Sequence, residues 1–348
     1  MKMLDCARSA KWKIAQSVIS AMPFSVVKKV TRGRLVSFYY HVIADELPPH
    51  LSRLYSNVHS VQSFGEELDF LQEWFNPITA ARLLSHLQDG EPLPKNPCLI
   101  TFDDGYREVY EHAFPQLAQR QMSFVFFLTR NFVDNHSLFV ENTVSLILNL
   151  CEKDPDAEFA VKHLLTEHGV LVNGPIERYL QRVPYKQRFL VELAAQVCGI
   201  SSSQYAQQHR PYVTVHQVHE MLASGLVEVG GHSVDHPRNE ELTDDEQVTQ
   251  VADSMNSIEE LFSPPSRLYA FPYSDASISI QTYQRLFRDL KIDLAFGTEQ
   301  LRSSRNPQIV QRCWMDARDP GGPASKVSKL FQAEILSQWK DHPIAARG

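Results

Sequence analysis

Residues 97–129 read PCLITFDDGYREVYEHAFPQLAQRQMSFVFFLT. An apolar run, Cys98–Phe102, stops at Asp103-Asp104-Gly105, and a second apolar run, Ser123–Thr129, closes the stretch. Between them, Tyr106–Gln119 has helical spacing. The pattern predicts strand, tight turn at Gly105, helix, strand. Strands joined through such a helix pair in parallel with a right-handed crossover. The stretch therefore predicts a βαβ unit with two acids at the carboxyl end of its first strand.

The flanking sequence repeats this rhythm. Strands are predicted at Leu35–Ile43, Leu226–Val229, Leu268–Phe271, Asp293–Gly297 and Ile309–Trp314 from β-branched and aromatic content. Helices are predicted at Phe64–Phe75, Val215–Ser224, Ile278–Leu290 and Ala324–Trp339, and Thr243-Asp-Asp-Glu246 is a capping box that opens another. Strand–helix alternation around one site predicts an α/β barrel, distorted and with its closure left open, whose chemistry sits at the carboxyl ends of the strands. Residues 140–212 break the alternation. Val144–Leu150, Phe159–His168 and Ile176–Val197 read as helices, a mostly helical insertion that could serve as lid or substrate-selecting wall. The chain thus divides into a basic segment (1–34), a barrel (35–320) carrying that insertion, and a carboxy-terminal helix and tail (321–348).

The 348 residues are 43% hydrophobic and 22% charged, values of a soluble globular enzyme. A net charge of −7 argues against a nucleic-acid partner. Residues 1–34 carry eight Lys/Arg against Asp5, a net +7 that leaves −14 on the remainder. Two readings of that segment stand: a solvated helix on the domain edge, or a peripheral membrane contact. In the second, Trp12, Ile14, Val18, Ile19 and Phe24 enter the lipid interface while lysines meet anionic headgroups. Five scattered cysteines without a CxxC pair favour a reducing compartment, and no uninterrupted apolar run of about 18 residues is present to span a bilayer. The expectation is a cytoplasmic protein with room for membrane association.

The second motif is His232-Ser-Val-Asp-His236. With 14 histidines, one i,i+4 pair arises by chance about half the time, so spacing alone proves little. Its setting adds weight. Gly230 and Gly231 precede it, and a strand before them aims it at the same end of the sheet as the two acids. Two imidazoles and one carboxylate leave a coordination position open for water, as in catalytic zinc sites. His216 and His219 also form an HxxH, but no acid or glycine turn frames them, and they read as a solvated helix face.

Thr101–Gly105 and His232–His236 resemble the first two motifs of the polysaccharide deacetylases (carbohydrate esterase family 4, the NodB-homology domain), T-F-D-D-G and H-[ST]-x-x-H. Tyr269-Ala-Phe-Pro-Tyr273 resembles the F-A-Y-P-Y element of biofilm poly-N-acetylglucosamine deacetylases, and Tyr40-His41-Val42 their Y-H-x-V strand. The resemblance spans most of residues 35–320 outside the insertion and implies a distorted (β/α) barrel of the NodB-homology type. It implies one divalent metal on Asp104, His232 and His236, with zinc preferred and cobalt, nickel or manganese fitting the same ligands. It makes Asp103 the general base toward water and the backbone N–H of Tyr273 an oxyanion donor.

The chain departs from the family pattern in two places. Ala270 stands where many relatives carry the arginine that positions the base, and Arg312 is the candidate substitute. The late L-x-H element that supplies the acid is missing; the only later histidine is His342 in the tail, so His41 is the candidate proton donor. The resemblance implies removal of an acetyl group from an N-acetylated sugar, glycan or lipid-linked glycan in bacterial surface-glycan or glycolipid metabolism. A non-sugar amide hydrolase with the same metal site, and a glycan binder that has lost catalysis, are the alternatives.

Overall fold

The computed structural model describes Ile19 and residues 22–30, 33–302 and 304–341. Eight strands form in it: β1 (Val36–Tyr40), β2 (Asn76–Pro77), β3 (Pro97–Phe102), β4 (Phe124–Leu128), β5 (Val227–Gly231), β6 (Leu268–Ala270), β7 (Leu294–Gly297) and β8 (Ile309–Trp314). Every pairing is parallel, and β1 lies between β3 and β8, so seven strands close into a barrel in the order β1-β8-β7-β6-β5-β4-β3. The short β2 pairs only with the start of β3, below the point where β4 joins. Parallel strands covered on both faces read as continuous apolar runs, as PCLITF and FVFFL do.

The period of two along a strand sorts side chains between barrel interior and helical shell. Cys98, Ile100 and Phe102 of β3 join the outer core beneath the helices, whereas Leu99 packs with Val125, Phe127, Leu268, Ala270, Leu294, Phe296 and Val310 inside the barrel. The same alternation turns Tyr39, Thr101 and Arg312 inward and carries on past the strand ends to His41, Asp103 and His232. Gly230 is where the interior is tightest. A Cβ there would lie 2.5 Å from the Leu268 carbonyl oxygen and 2.7 Å from the Phe127 ring.

The barrel floor is closed by a helix absent from those predicted above, Ala80–Asp89, with Thr79 as its N-cap and left-handed Gly90 at its end. Its Ala80 and Ala81 N–H groups donate to the Glu228 carboxylate at 2.6 and 2.8 Å, and Ile78, Leu83 and Leu84 join the interior core. Burial raises the Glu228 pKa while these two donors lower it.

Elsewhere expectation and structure differ at particular residues. The predicted strand Leu35–Ile43 keeps ladder pairing only over Val36–Tyr40. The helix expected over Tyr106–Gln119 contains a π-helical turn at Val109–Ala113 before regular helix at Phe114–Gln119. Pro115 lacks the N–H that would bond Glu111, and the ladder widens just ahead of it. Ile176–Val197 is not one helix but Glu177–Leu180 and Phe189–Val197, separated across Pro184. The expected capping box at Thr243 forms, with Glu246 returning to the Thr243 N–H.

The insertion folds as helices Val140–Cys151, Pro155–Glu167, Phe189–Val197 and Ser202–His209, with its own core of Ile147, Val161, Leu165, Leu190 and Ala194. The last helix, Gly322–Asp341, packs on helices Phe24–Val30 and Val61–Trp74. Phe24 sits against Phe70, Trp74, Phe75 and Phe331. Ile19 and Phe24 are both buried, Phe24 within the aromatic cluster just named, which removes them from the expected lipid-facing set. Trp12, Ile14, Val18 and His342 lie outside the described residues. Among those described, no helix is long and apolar enough to cross a membrane.

Candidate active site

The inward-facing residues converge at the carboxyl end of the barrel around a cavity of about 250 Å³. Asp103 continues β3 in register, its N–H donating to the Tyr40 carbonyl at 3.0 Å. At Asp104 the backbone turns left-handed (φ +69°), followed by Gly105 (φ +86°), and the Gly105 N–H closes the turn on the Asp103 carbonyl at 2.9 Å. Two successive residues of this kind swing both carboxylates to one side, which an extended strand could not do. The expected role of Gly105 is therefore shared with Asp104 itself.

His232 and His236 come from the loop after β5. Ser233 and His236 are also left-handed, at φ +69° and +58°. Three side chains hold this loop from outside. Arg188 donates to the carbonyls of Asp235 and His236 at 2.9 and 2.8 Å, while Tyr185 and Gln250 donate to the Asp235 carboxylate. Two of these, Arg188 and Tyr185, belong to the helical insertion. Asp235 therefore faces the insertion.

His232 Nδ1 lies 2.9 Å from the Ala270 carbonyl, which places the proton there and leaves the Nε2 lone pair free. His232 Nε2 and His236 Nε2 are 3.2 Å apart, and each is 3.3 and 3.2 Å respectively from Asp104 Oδ1. A tetrahedral ion with bonds of about 2 Å has ligand atoms separated by about 3.3 Å. Two imidazole lone pairs and a carboxylate oxygen facing one point at that spacing fit a divalent cation. The three residues form the candidate metal cluster found among the described residues. Burial would raise the Asp104 pKa, but the two histidines hold it well below the ordinary carboxylate range.

Asp103 faces the same cavity and is fully engaged from behind. Arg312 binds it in a two-pronged pair, Nη1 to Oδ1 at 2.6 Å and Nη2 to Oδ2 at 2.9 Å, and also reaches Thr101 Oγ1 and the Gly297 carbonyl. The guanidinium is completely buried, packed on the rings of Tyr39 and Phe127 with its carbon 4.7 and 5.3 Å from their centroids. Burial pushes the Asp103 pKa up, and Arg312 with His232 outweighs it, so the carboxylate is held below its usual range. Arg312, which could equally have been a surface arginine on sequence alone, lies at the heart of the site.

His41 lines the cavity opposite the histidine pair. Its Nδ1 is 2.5 Å from Asp316 Oδ2, its backbone N–H donates to Asp316 Oδ1 at 2.6 Å, and Trp314 Nε1 donates to Oδ2 at 2.6 Å. Burial lowers the His41 pKa, but the Asp316 charge overrides it and lifts the value to about 9. Asp316 was not singled out from the sequence; its position two residues past β8, an acid at a strand's carboxyl end, was the available signal. Tyr273 also lies at the cavity with φ +55°, and its backbone N–H has no hydrogen-bond partner among the described residues. Its hydroxyl is turned to Glu141 of the insertion. His216 and His219 are exposed on a helix away from the site.

Comparison with known proteins bears on this geometry. The profile of the family described as Polysaccharide deacetylase matches residues 90–170 and 177–288, more than half of the chain. Three solved structures share the fold. The structure of IcaB from Ammonifex degensii superposes with TM-score 0.52 at 20% identity, covering 86% of this chain and 97% of that one. The Streptococcus pyogenes deacetylase PplD, in complex with acetate, gives 0.54 at 16% identity, with 85% and 97% covered. A de-N-acetylase from Aggregatibacter actinomycetemcomitans gives 0.53 at 15%, with 86% and 99% covered. No curated protein sequence matches the chain. With its seven-stranded closed barrel and the matched segments, the chain belongs to the polysaccharide deacetylase family.

Proposed function

We propose that this protein is a metal-dependent hydrolase that removes the acetyl group from an N-acetylated sugar of a surface glycan or glycolipid. The observation that carries the reading is the buried Asp103 carboxylate, locked by Arg312 beside the Asp104–His232–His236 cluster with His41 on the same cavity.

The chain's own residues divide the work. Asp103, ionised and fixed in direction, accepts a proton from the attacking water. A divalent ion on Asp104, His232 and His236 supplies polarisation of the amide carbonyl and acidification of water; zinc suits two imidazoles and a carboxylate, as cobalt, nickel or manganese do. The Tyr273 N–H donates to the oxygen that gains negative charge, a contribution of about 3–4 kcal/mol in comparable acyl-transfer sites. His41, kept protonated by Asp316, donates a proton to the departing amine. Arg312 fills the role that Ala270 vacates, and His41 that of the missing late histidine. These two assignments favour an active enzyme over a glycan binder that has lost catalysis.

A cytoplasmic site of action, with the basic amino-terminal segment against anionic lipid, goes with a lipid-linked substrate. Sedimentation with anionic vesicles, with and without residues 1–18, which precede the buried Ile19 and Phe24, tests that part. The activity itself is tested by acetate release from N-acetylated oligosaccharides by the zinc-loaded protein. Turnover that Asp103→Asn abolishes supports the reading. Turnover of small cyclic amides with none on acetylated sugars would replace it with the non-sugar amide reading.

A further inference from the structure

A second cavity of about 570 Å³ opens beside the first, between the insertion and the barrel rim; Leu54, Glu141 and Tyr273 line both. Its walls carry three guanidinium groups, those of Arg53, Arg182 and Arg238. Arg53 is already committed, donating to Asn149 at 2.9 Å and pairing with Glu152. Arg182 and Arg238 meet no carboxylate in ion-pair contact among the described residues. Arg238 lies over the Tyr273 ring, its guanidinium carbon 3.9 Å from the centroid, a contact that holds the group in place without using its N–H donors. Glu241 in the same wall is turned to the Tyr185 N–H, and Glu240 is exposed. Glu141 takes the Tyr273 hydroxyl on Oε1, and its buried Oε2 has no partner.

These placements form a sequence of contacts leading away from the metal cluster: an acceptor at Glu141, then two uncommitted planar cations. We infer that the substrate is an acetylated sugar that also bears an oxyanion, a phosphate ester or a carboxylate. Arg182 and Arg238 bind that oxyanion in the second cavity while the acetamido group lies in the first. Glu141 Oε2, on the wall common to both cavities, accepts a hydroxyl of the sugar between them. Guanidinium groups suit both oxyanions because their parallel N–H bonds match two oxygens at once. The inference rests on the deacetylase reading for the acetamido end, and on the arginines alone for the charged end.

The test uses the full-length zinc-loaded protein and three probes with one common core: a neutral N-acetylglucosamine disaccharide, the same disaccharide carrying a phosphate ester, and the same core carrying a uronic acid. Acetate release is expected at least tenfold higher in kcat/KM for one charged probe than for the neutral one, as a charge-assisted contact allows. Whichever charged probe leads identifies the source of the oxyanion. Arg182→Gln, at an exposed position, and Arg238→Gln are each expected to shrink that ratio at least fivefold. Equal kcat/KM across all three probes, or ratios unmoved in both variants, overturns the inference. Should no probe release acetate, the deacetylase reading falls, and calorimetric titration with the phosphorylated and uronic probes decides the anion site independently. Binding of either probe that Arg182→Gln weakens tenfold upholds the site; binding of neither, or binding indifferent to Arg182→Gln, removes it.

Discussion

Asp316→Asn is expected to disarm the leaving-group proton donor while leaving the barrel folded. The carboxylate of Asp316 accepts from the His41 N–H at 2.6 Å, meets His41 Nδ1 at 2.5 Å and accepts from Trp314 Nε1 at 2.6 Å, and an amide can preserve part of this pattern without the charge. With the charge, the His41 pKa is lifted to about 9; without it, only the weaker pull of Asp104 and Asp103 opposes burial, and the value falls toward the ordinary 6.5. At a pH of about 7.5 a full return to 6.5 would drop the protonated fraction from about 97% to about 9%, so the loss of competent enzyme is at most about tenfold. The assay is kcat/KM for acetate release between about pH 6 and 10. The native alkaline limb should lie near pH 9 and the variant's should move down toward 6.5, the two curves converging toward the acid end. The same pair contributes to stability. Because the folded-state pKa is raised, up to about 3 kcal/mol is fully present below pH 6.5 and is lost as pH rises through 9. An alkaline limb that does not move, or an equal loss at every pH, would refute a role for Asp316 in proton donation.

Three further outcomes follow from packing and charge. Arg312→Met leaves the buried Asp103 carboxylate uncompensated, which should cost about 3–5 kcal/mol in urea denaturation and push the Asp103 pKa up, so that residual activity shifts to higher pH. Zinc should raise the melting temperature of the native chain, by the equivalent of about 2.7 kcal/mol at a hundred times its dissociation constant, and Asp104→Asn should lose most of that shift. Gly230→Ala places a methyl 2.5 Å from the Leu268 backbone oxygen, where a flexible side chain cannot yield. Destabilisation of about 1–3 kcal/mol is expected by thermal melting, with the metal cluster displaced as well.

The barrel was legible because its strands are short apolar runs bounded by turn chemistry, and because Thr101–Gly105 and His232–His236 each follow one of them. Helix Ala80–Asp89 was overlooked although Thr79 caps its first turn and left-handed Gly90 closes its last; what could not be read locally is its place on the floor, fixed by Glu228, an acid 148 residues away that caps its first two N–H groups. The break at Pro184 escaped a periodicity that counts apolar spacing on both sides as one helix. Arg312 could be named but not placed: local sequence cannot say that an arginine on a strand faces a barrel interior holding Asp103. Asp316 escaped because its importance is set by His41, just past the end of β1, which neighbours β8 in space yet lies at the other end of the chain. The second cavity depends on where the insertion packs, which no local pattern encodes.

The left-handed backbone at Asp104 and His236 complicates any mutational dissection of this centre. Alanine at either position would remove a donor atom and also raise the conformational energy of the loop by about 1 kcal/mol, so a dead variant would report two injuries at once. Asparagine tolerates that region best among the chiral residues, which makes Asp104→Asn and His236→Asn the cleaner probes of coordination. Valine or isoleucine at these sites would be expected to unmake the loop before any question of chemistry arose.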